Sequence, residues 1–299
     1  MTRTTLEQWR MLQAVVEHGG FAQAAAAVHK SQSSINHAVH KLQDRLDLPL
    51  LEVKGRKAEL TEAGALMLRR AGQLLDQAAQ LEDVAASLSV GTEAEIRTAV
   101  DEVYPQDYLA GALEAFSGAF PNTRVQLEET VLGGGPELLT AGEVDLLVAG
   151  TVPQGFIGSP ILRAEFIAVA HRDHPLHQLG RDLSLQDLKQ HRQIVLRDSS
   201  RGERRDSGWL GAEQRWTVSH VATSADMIGR GMGFAWLPRT RVLAGIAYGD
   251  LRELPLGEAS RRYTELYLVY ADPEAAGPAV RHLGDLLTKA CEQYGDISI

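Results

Sequence analysis

A single cysteine, Cys291, stands in 299 residues. That scarcity excludes an internal disulfide, a multi-cysteine metal site and a redox sensor using two thiols of one chain. Long apolar runs are missing too. No stretch approaches the roughly 18 apolar residues of a membrane span. The first residues, Met1-Thr2-Arg3-Thr4-Thr5-Leu6-Glu7-Gln8, lack the apolar core of a signal peptide. A cytoplasmic location without a membrane partner is the expectation. The third deficit is positive charge, since 30 Lys and Arg face 39 Asp and Glu for a formal −9. Its distribution is uneven. Residues 1–60 hold eight Lys and Arg against six acids, a net +2, and the other 239 residues hold 22 cations against 33 acids, a net −11. Such a chain has a weakly basic head on an acidic body, and His18, His29, His37 and His40 add charge to the head below neutral pH.

Motifs for catalysis and cofactors are also wanting. Gly133-Gly134-Gly135 lacks the Lys-Ser/Thr that completes a phosphate loop and reads as the entry to a helix. Gly229, Gly231 and Gly233 follow a helical pattern and precede a strand, the reverse of the order a dinucleotide fingerprint needs. Ser199 and Ser200, near Asp198, Arg201, Arg204 and Arg205, sit in no G-x-S-x-G elbow. His171, His174 and His177 recur at a spacing of three, but Pro175 prevents one continuous helix from presenting them to a metal. No catalytic residue, cofactor or metal is therefore expected.

What is present is organised around Phe21 to Gly64. An alanine-rich helical segment, Phe21–Val28, breaks at His29-Lys30. Ser31 can then cap a second helix whose apolar stripe is Ile35, Val39, Leu42 and Leu46. Two short helices, the second beginning with small polar donors and carrying basic residues, meet the needs of a helix-turn-helix entering a major groove; the alternative is an ordinary helical hairpin. Leu50 to Thr61 reads as strand, basic turn at Gly55 and return strand, which makes a wing. Upstream, Thr5 can cap a supporting helix with Trp9 in its core face, stopped at Gly19-Gly20.

From Thr61 to about Ser89 a proline-free helix carries Leu60, Met67, Leu74, Leu81 and Leu88 every seven residues, interleaved with Gly64, Ala71, Ala78 and Ala85. That spacing is a heptad seam for a second helix, either of another copy or of the same chain's body. Beyond residue 90, strands (Ile96–Val100, Val125–Glu128, Val144–Ala149, Gln193–Arg197, Arg215–Val221, Glu265–Tyr270) alternate with helices (Tyr108–Phe120, Leu183–Lys189, about Glu274–Tyr294). The alternation predicts a mostly parallel sheet covered on both faces.

Ser31-Gln32, the stripe Ile35, Val39, Leu42 and Leu46, the turn Gly55-Arg56 and above all Leu60-Thr61-Glu62-Ala63-Gly64 resemble the amino-terminal winged helix-turn-helix of the LysR-type transcriptional regulators. Gly142-Glu143-Val144-Asp145 and Met227 to Pro238 resemble segments of that family's effector domain. Departures are Ser33 where the family usually has Pro, Asn36 for Ser, Gln43 for Glu, Asp47 for Gly, Leu51 for Phe and Val53 for Arg. The resemblance implies an α/β protein with a winged helix-turn-helix (1–60), a linker helix for dimerisation (61–89) and a two-lobed effector domain of the periplasmic-binding-protein type. That domain spans 90–299, with lobe I about 91–162 and 268–299 and lobe II about 163–267. It implies sequence-specific transcriptional control, double-stranded DNA, a small effector, a homodimer or homotetramer and RNA polymerase as partners, and no enzymatic activity. The rival from another class is a solute-binding or enzymatic α/β protein with a helical appendage.

By position in the helix-turn-helix, Ser33, Ser34, Asn36 and His37 are candidates for base edges and Lys30, Lys54 and Arg56 for phosphates, with Gln32 and Lys41 beside them. So small a charge on the head makes binding depend on dimerisation, for which Leu74, Ala78 and Leu81 are central. Ligands of open α/β sheets sit outside the carboxyl ends of strands, which selects Asp101, Glu102, Val103, Tyr104, Thr130, Thr151, Ser199, Ser200, Arg201, Thr223 and Ser224. The adjacent acids Asp101 and Glu102 favour a cationic or zwitterionic effector. Arg201 either offers an anion site or closes onto Asp101.

Overall fold

The computed structural model describes residues 3–54, 57–89, 91–202 and 207–294. They form two compact units, Met1–Val90 and Gly91–Ile299.

The first unit runs α1 (Leu6–Glu17), α2 (Phe21–Ala27), α3 (Gln32–Leu46), β1 (Leu51–Lys54), β2 (Lys57–Leu60) and α4 (Glu62–Ser89). Thr5 and Gln8 start α1 with a reciprocal capping box, each side chain accepting from the other's backbone N–H. Trp9, Leu12 and Val15 of α1 then bury against Ala24 and Ala25 of α2 and Ile35, Val39 and Leu42 of α3. The alanines leave room for close helix approach. At the end of α3, Asp47 adopts a left-handed conformation (φ 53°), which a short polar side chain tolerates. That requirement explains a position where glycine is the family's usual choice. Gln43 serves the next step, its Oε1 accepting from the N–H groups of Leu50 (2.8 Å) and Leu51 (3.0 Å) and so tying α3 to the first wing strand. β1 and β2 pair antiparallel from Leu51↔Leu60 to Lys54↔Lys57.

Thr61 opens α4: its hydroxyl accepts from Gly64 N–H (2.9 Å) and donates to Pro49 O (2.7 Å). Glycine is required three residues on, because a Cβ at Gly64 would fall 2.0 Å from Leu50 O. The heptad seam divides here. Gly64, Ala71 and Leu75 are buried against the same unit, with Met67 half-buried beside them, so the amino-terminal half of the small-residue row packs on its own chain. Leu74 and Leu81 are left 53% and 71% exposed, Ala78 half-buried and Ala85 exposed. The side chain of Leu88 lies outside the described residues.

The second unit continues with β3 (Glu95–Asp101), α5 (Gln106–Ala119), β4 (Arg124–Thr130), α6 (Gly134–Thr140), β5 (Leu146–Ala149), β6 (Gly158–His171), α7 (Leu185–Leu188), β7 (Gln193–Leu196), β8 (Arg215–Val218), α8 (Val221–Gly229), β9 (Phe234–Pro238), α9 (Arg239–Ala247), β10 (Leu251–Glu253), β11 (Arg261–Tyr270) and α10 (Pro278–Tyr294). The nine strands form one sheet ordered β4-β3-β5-β11-β6-β9-β7-β8, with β10 on β6. β3, β4 and β5 are parallel, as are β7, β8 and β9, and the two groups are joined by β6 and β11, which pair antiparallel. These are the expected crossing strands. β11 begins at Arg261, four residues before the Glu265 that the sequence pattern marks, and α9 and β10 are additions that the pattern did not mark.

Alternation in the strands covers both faces of lobe I. Ile96, Val100, Leu146, Val148 and Leu268 meet α5 and α10, whereas Ala99, Leu147, Ala149 and Val269 meet α6. The turn into β5 is held by Asp145, which accepts from Arg97 N–H (2.8 Å) and pairs with Arg97 Nη2 (2.7 Å). Cys291 is buried beside Tyr104, and burial pushes its thiol up to about 11.

Candidate functional site

In the first unit the surface of interest is the amino-terminal half of α3. Ser31 caps it, accepting from Ser34 N–H (3.2 Å). With Ile35, Val39 and Leu42 turned into the core, the helical period leaves Gln32, Ser33, Ser34, Asn36, His37, His40 and Lys41 exposed. Lys30 is exposed but ion-paired to Glu7, so a phosphate there has a competitor. Lys54 is placed by its backbone in β1 and its side chain lies outside the described residues, as does Arg56 entirely.

In the second unit a cavity of about 650 Å³ opens at the carboxyl ends of β3, β5 and β7. Of the residues selected from the sequence, Asp101, Glu102, Val103, Thr151 and Ser224 line it. The two acids are not free, however. Asp101 accepts from the N–H groups of Val103 (3.0 Å) and Leu132 (3.2 Å), and burial raises its carboxyl to about 6. Glu102 reaches across to the other lobe, where it accepts from Val221 N–H (2.5 Å) at the start of α8 and lies 2.6 Å from His220 Nδ1. A carboxylate at a helix amino terminus answers the unpaired N–H groups and the dipole there.

A second junction joins the lobes at the other side. Ser199 Oγ accepts from Val131 N–H (2.9 Å), Ser199 N–H donates back to Val131 O (3.1 Å), and Asp198 Oδ1 accepts from Gly133 N–H (3.1 Å). Arg201 extends the clasp to Glu137 through its backbone N–H and to Glu143 through its guanidinium (2.9 Å). Glycine at 134 is a condition of this approach, since a Cβ would meet Ser199 Oγ at 2.0 Å.

The model of the bacterial regulatory helix-turn-helix proteins of the lysR family matches residues 6–65, and that of the LysR substrate binding domain matches residues 89–292. The chain belongs to the LysR family. An uncharacterised HTH-type transcriptional regulator, YeeY of Escherichia coli K12, is 31% identical over 241 residues, covering 78% of this chain and 77% of the relative. The RuBisCO operon transcriptional regulator of Allochromatium vinosum is 27% identical over 224 residues, 72% of this chain and 71% of that one. Among solved structures, CrgA of Neisseria meningitidis, a LysR-type regulator, aligns with TM-score 0.54 at 21% identity over 96% of this chain and 99% of its own. AphB, the Vibrio cholerae virulence activator, aligns with TM-score 0.53 at 19% identity over the same shares. Both share the fold of an amino-terminal helix-turn-helix followed by a substrate-binding domain. LysR-type regulators bind DNA and small-molecule effectors and form oligomers; the chain is a transcriptional regulator and not an enzyme. No helix among the described residues is long and apolar enough to cross a membrane.

Within this LysR effector domain the expected residues divide by location. Tyr104 turns away from the cavity into the core, donating to Leu287 O (2.7 Å), because the chain reverses at Val103 after β3. Thr223 is exposed on α8 and is not part of the lining. Thr130, Ser199 and Arg201 border a separate crevice of about 20 Å³, room for little beyond one water. Ser200 is buried and does not line the cavity, its N–H donating to Asp198. Arg201 neither enters the cavity nor closes onto Asp101; Glu143 holds it outside. The acidic argument for a cationic effector weakens equally, since both acids already accept protein donors. Unanticipated lining residues are Gln193, Trp209, Trp236, Arg262 and Thr264. Gln193 Oε1 and Ser224 Oγ are buried without a hydrogen-bond partner. The period-2 pattern of β11 placed Arg262 and Thr264 on one face with Leu266, a signal that starting the strand at Glu265 hid.

Proposed function

We propose that this LysR-type regulator reads its operator with Ser33, Ser34, Asn36 and His37 at base edges and with Lys30, Lys54 and Arg56 at phosphates, Gln32 and Lys41 lying beside them. The carrying observation is the amphipathic division of α3, which exposes those four small polar residues at the amino-terminal end opposite Ile35, Val39 and Leu42. That end is the one a recognition helix brings to the base edges. Residues 1–60 act as the reading head, 61–89 as the dimerisation helix through Leu74, Ala78 and Leu81, and 90–299 as the effector domain with its ligand in the cavity between lobes. The regulator works in the cytoplasm and its output passes to RNA polymerase, whose footprint beside the operator should change when effector is added.

Gel shifts on a palindrome-like operator and on scrambled DNA test the reading. Asn36→Ala should alter the preference between them by about 1–3 kcal/mol if its contact is bidentate, and Arg56→Ala should weaken all sequences alike. An unaltered preference in Asn36→Ala removes that residue from the readout.

A further inference from the structure

Among the described residues, the cavity lining includes a cation that has no carboxylate partner. Arg262, Thr264 and Leu266, alternate positions on β11, line it. The Arg262 guanidinium carbon stands 4.1 Å from the centre of the Trp236 ring. Gly208 presses its backbone against the same group: a Cβ there would fall 2.0 Å from Nη1, and its φ of +80° suits glycine. The guanidinium is thus held in place by an aromatic face and a main chain, neither of which neutralises it. Among the described residues no carboxylate pairs with it and no acceptor takes its N–H groups. Burial pulls its pKa below the usual arginine value. The cavity's acids contrast with this, because Asp101, Glu102 and Asp198 each accept backbone N–H donors. A half-buried, oriented and unpaired arginine presents a planar fork that matches a carboxylate.

Next to that fork the lining is aromatic. Phe166 lies directly opposite Arg262 across the β6–β11 ladder, so the two side chains rise on one face of the sheet. Trp209 stands 6.0 Å from Trp236, ring to ring, and its carbonyl accepts from Gln193 Nε2 (2.7 Å). Resting on the reading of this cavity as the effector site, we propose that the effector is a carboxylate with a flat apolar body. Its carboxylate takes the N–H donors of Arg262 and its body lies against Phe166 and Trp209. The unpaired Ser224 hydroxyl and Gln193 carbonyl oxygen admit one further polar substituent on the ligand.

Calorimetric titration of the full chain with benzoate, 1-naphthoate, benzamide and benzylamine tests this. The two carboxylates should bind, with the amide and amine about tenfold weaker or more. Arg262→Gln should cost the carboxylates about tenfold or more and Arg262→Lys less, while thermal melts confirm that both variants fold. Thr151→Trp, which crowds the cavity lining, controls for location and should abolish binding of either carboxylate. If benzylamine binds best, or if Arg262→Gln leaves benzoate affinity unchanged while Thr151→Trp abolishes it, the cavity remains the effector site and the charge assignment is overturned. If Thr151→Trp leaves benzoate binding intact, the reading of the cavity falls and this inference with it. Failure of both carboxylates to bind overturns the inference as well.

Discussion

Asp101 shows how a buried residue lining a cavity can cost stability. Its carboxyl sits near 6 because burial penalises the charged form more than two backbone N–H donors favour it. Between its unfolded value of 3.8 and about 6 the folded state holds the proton more tightly, so stability contributed by the neutral form is present at low pH and lost as pH rises through about 6. The amount is about 3 kcal/mol. His174, pushed down to about 4 by burial, acts with the opposite sign, stability being lost as pH falls from 6.5 toward 4 because the unfolded state takes up the proton more readily. The difference between wild type and Asp101→Asn therefore isolates the first effect. Thermal melts from pH 4 to 7 should show wild type losing ground steadily to the variant; parallel curves would mean that folding does not raise the Asp101 carboxyl. Gly64 makes a purely steric point. Gly64→Ala must displace the Leu50 carbonyl, and a denaturant midpoint should record a loss of about 1–3 kcal/mol for the first unit.

At the scale of elements, α4 presents two different faces. Ala71 and Leu75 complete the core under α1, while Leu74 and Leu81 stand in solvent within the same turns. Large exposed leucines at heptad spacing are what a second helix would cover. Leu74→Glu should leave the melting of the unit unchanged and shift the sedimentation of the full chain toward monomer, because it places a charge in that interface. Ala71→Glu should instead unfold the unit, since its acid would be buried without a partner. If sedimentation of Leu74→Glu matched wild type, the dimer would be held elsewhere. Sequence reasoning gave both rows to a dimer seam and did not foresee that Gly64 and Ala71 pack on the chain itself. Small residues at a heptad position suit close packing on any helix, and only the path of the wing put Leu50 beside Gly64.

Across the whole effector domain, the lobes are fastened at two junctions flanking the cavity, Glu102 to the start of α8 and residues 198–201 to the loop Val131–Gly133. Ser199 and Arg201 belong to this clasp, which distinguishes them from ligand contacts by experiment. Ser199→Ala should raise hydrogen exchange at the Val131 amide, which loses its acceptor, without lowering effector affinity as loss of a ligand contact would. Unchanged exchange at Val131 would mean that the junction is not held by the hydroxyl.

Most of the order of elements, though not α9 or β10, was legible in the chain, as were a small basic head before a larger α/β body and the exposed face of α3, because they rest on periodicity, capping residues and turn chemistry that act over a few neighbours. Family membership was legible for the same reason, being written in the contiguous run Leu60 to Gly64. What only tertiary structure decided was which of the residues after the strands face the cavity. Asp101, Thr151 and Ser224 do and Tyr104, Thr223 and Arg201 do not, since one residue's change of backbone direction turns a side chain from cleft to core. Arg262 stands more than 150 residues from Asp101 in sequence, and its lack of an acidic partner among the described residues goes with how β6, β9 and β11 pair, a long-range outcome no local pattern encodes.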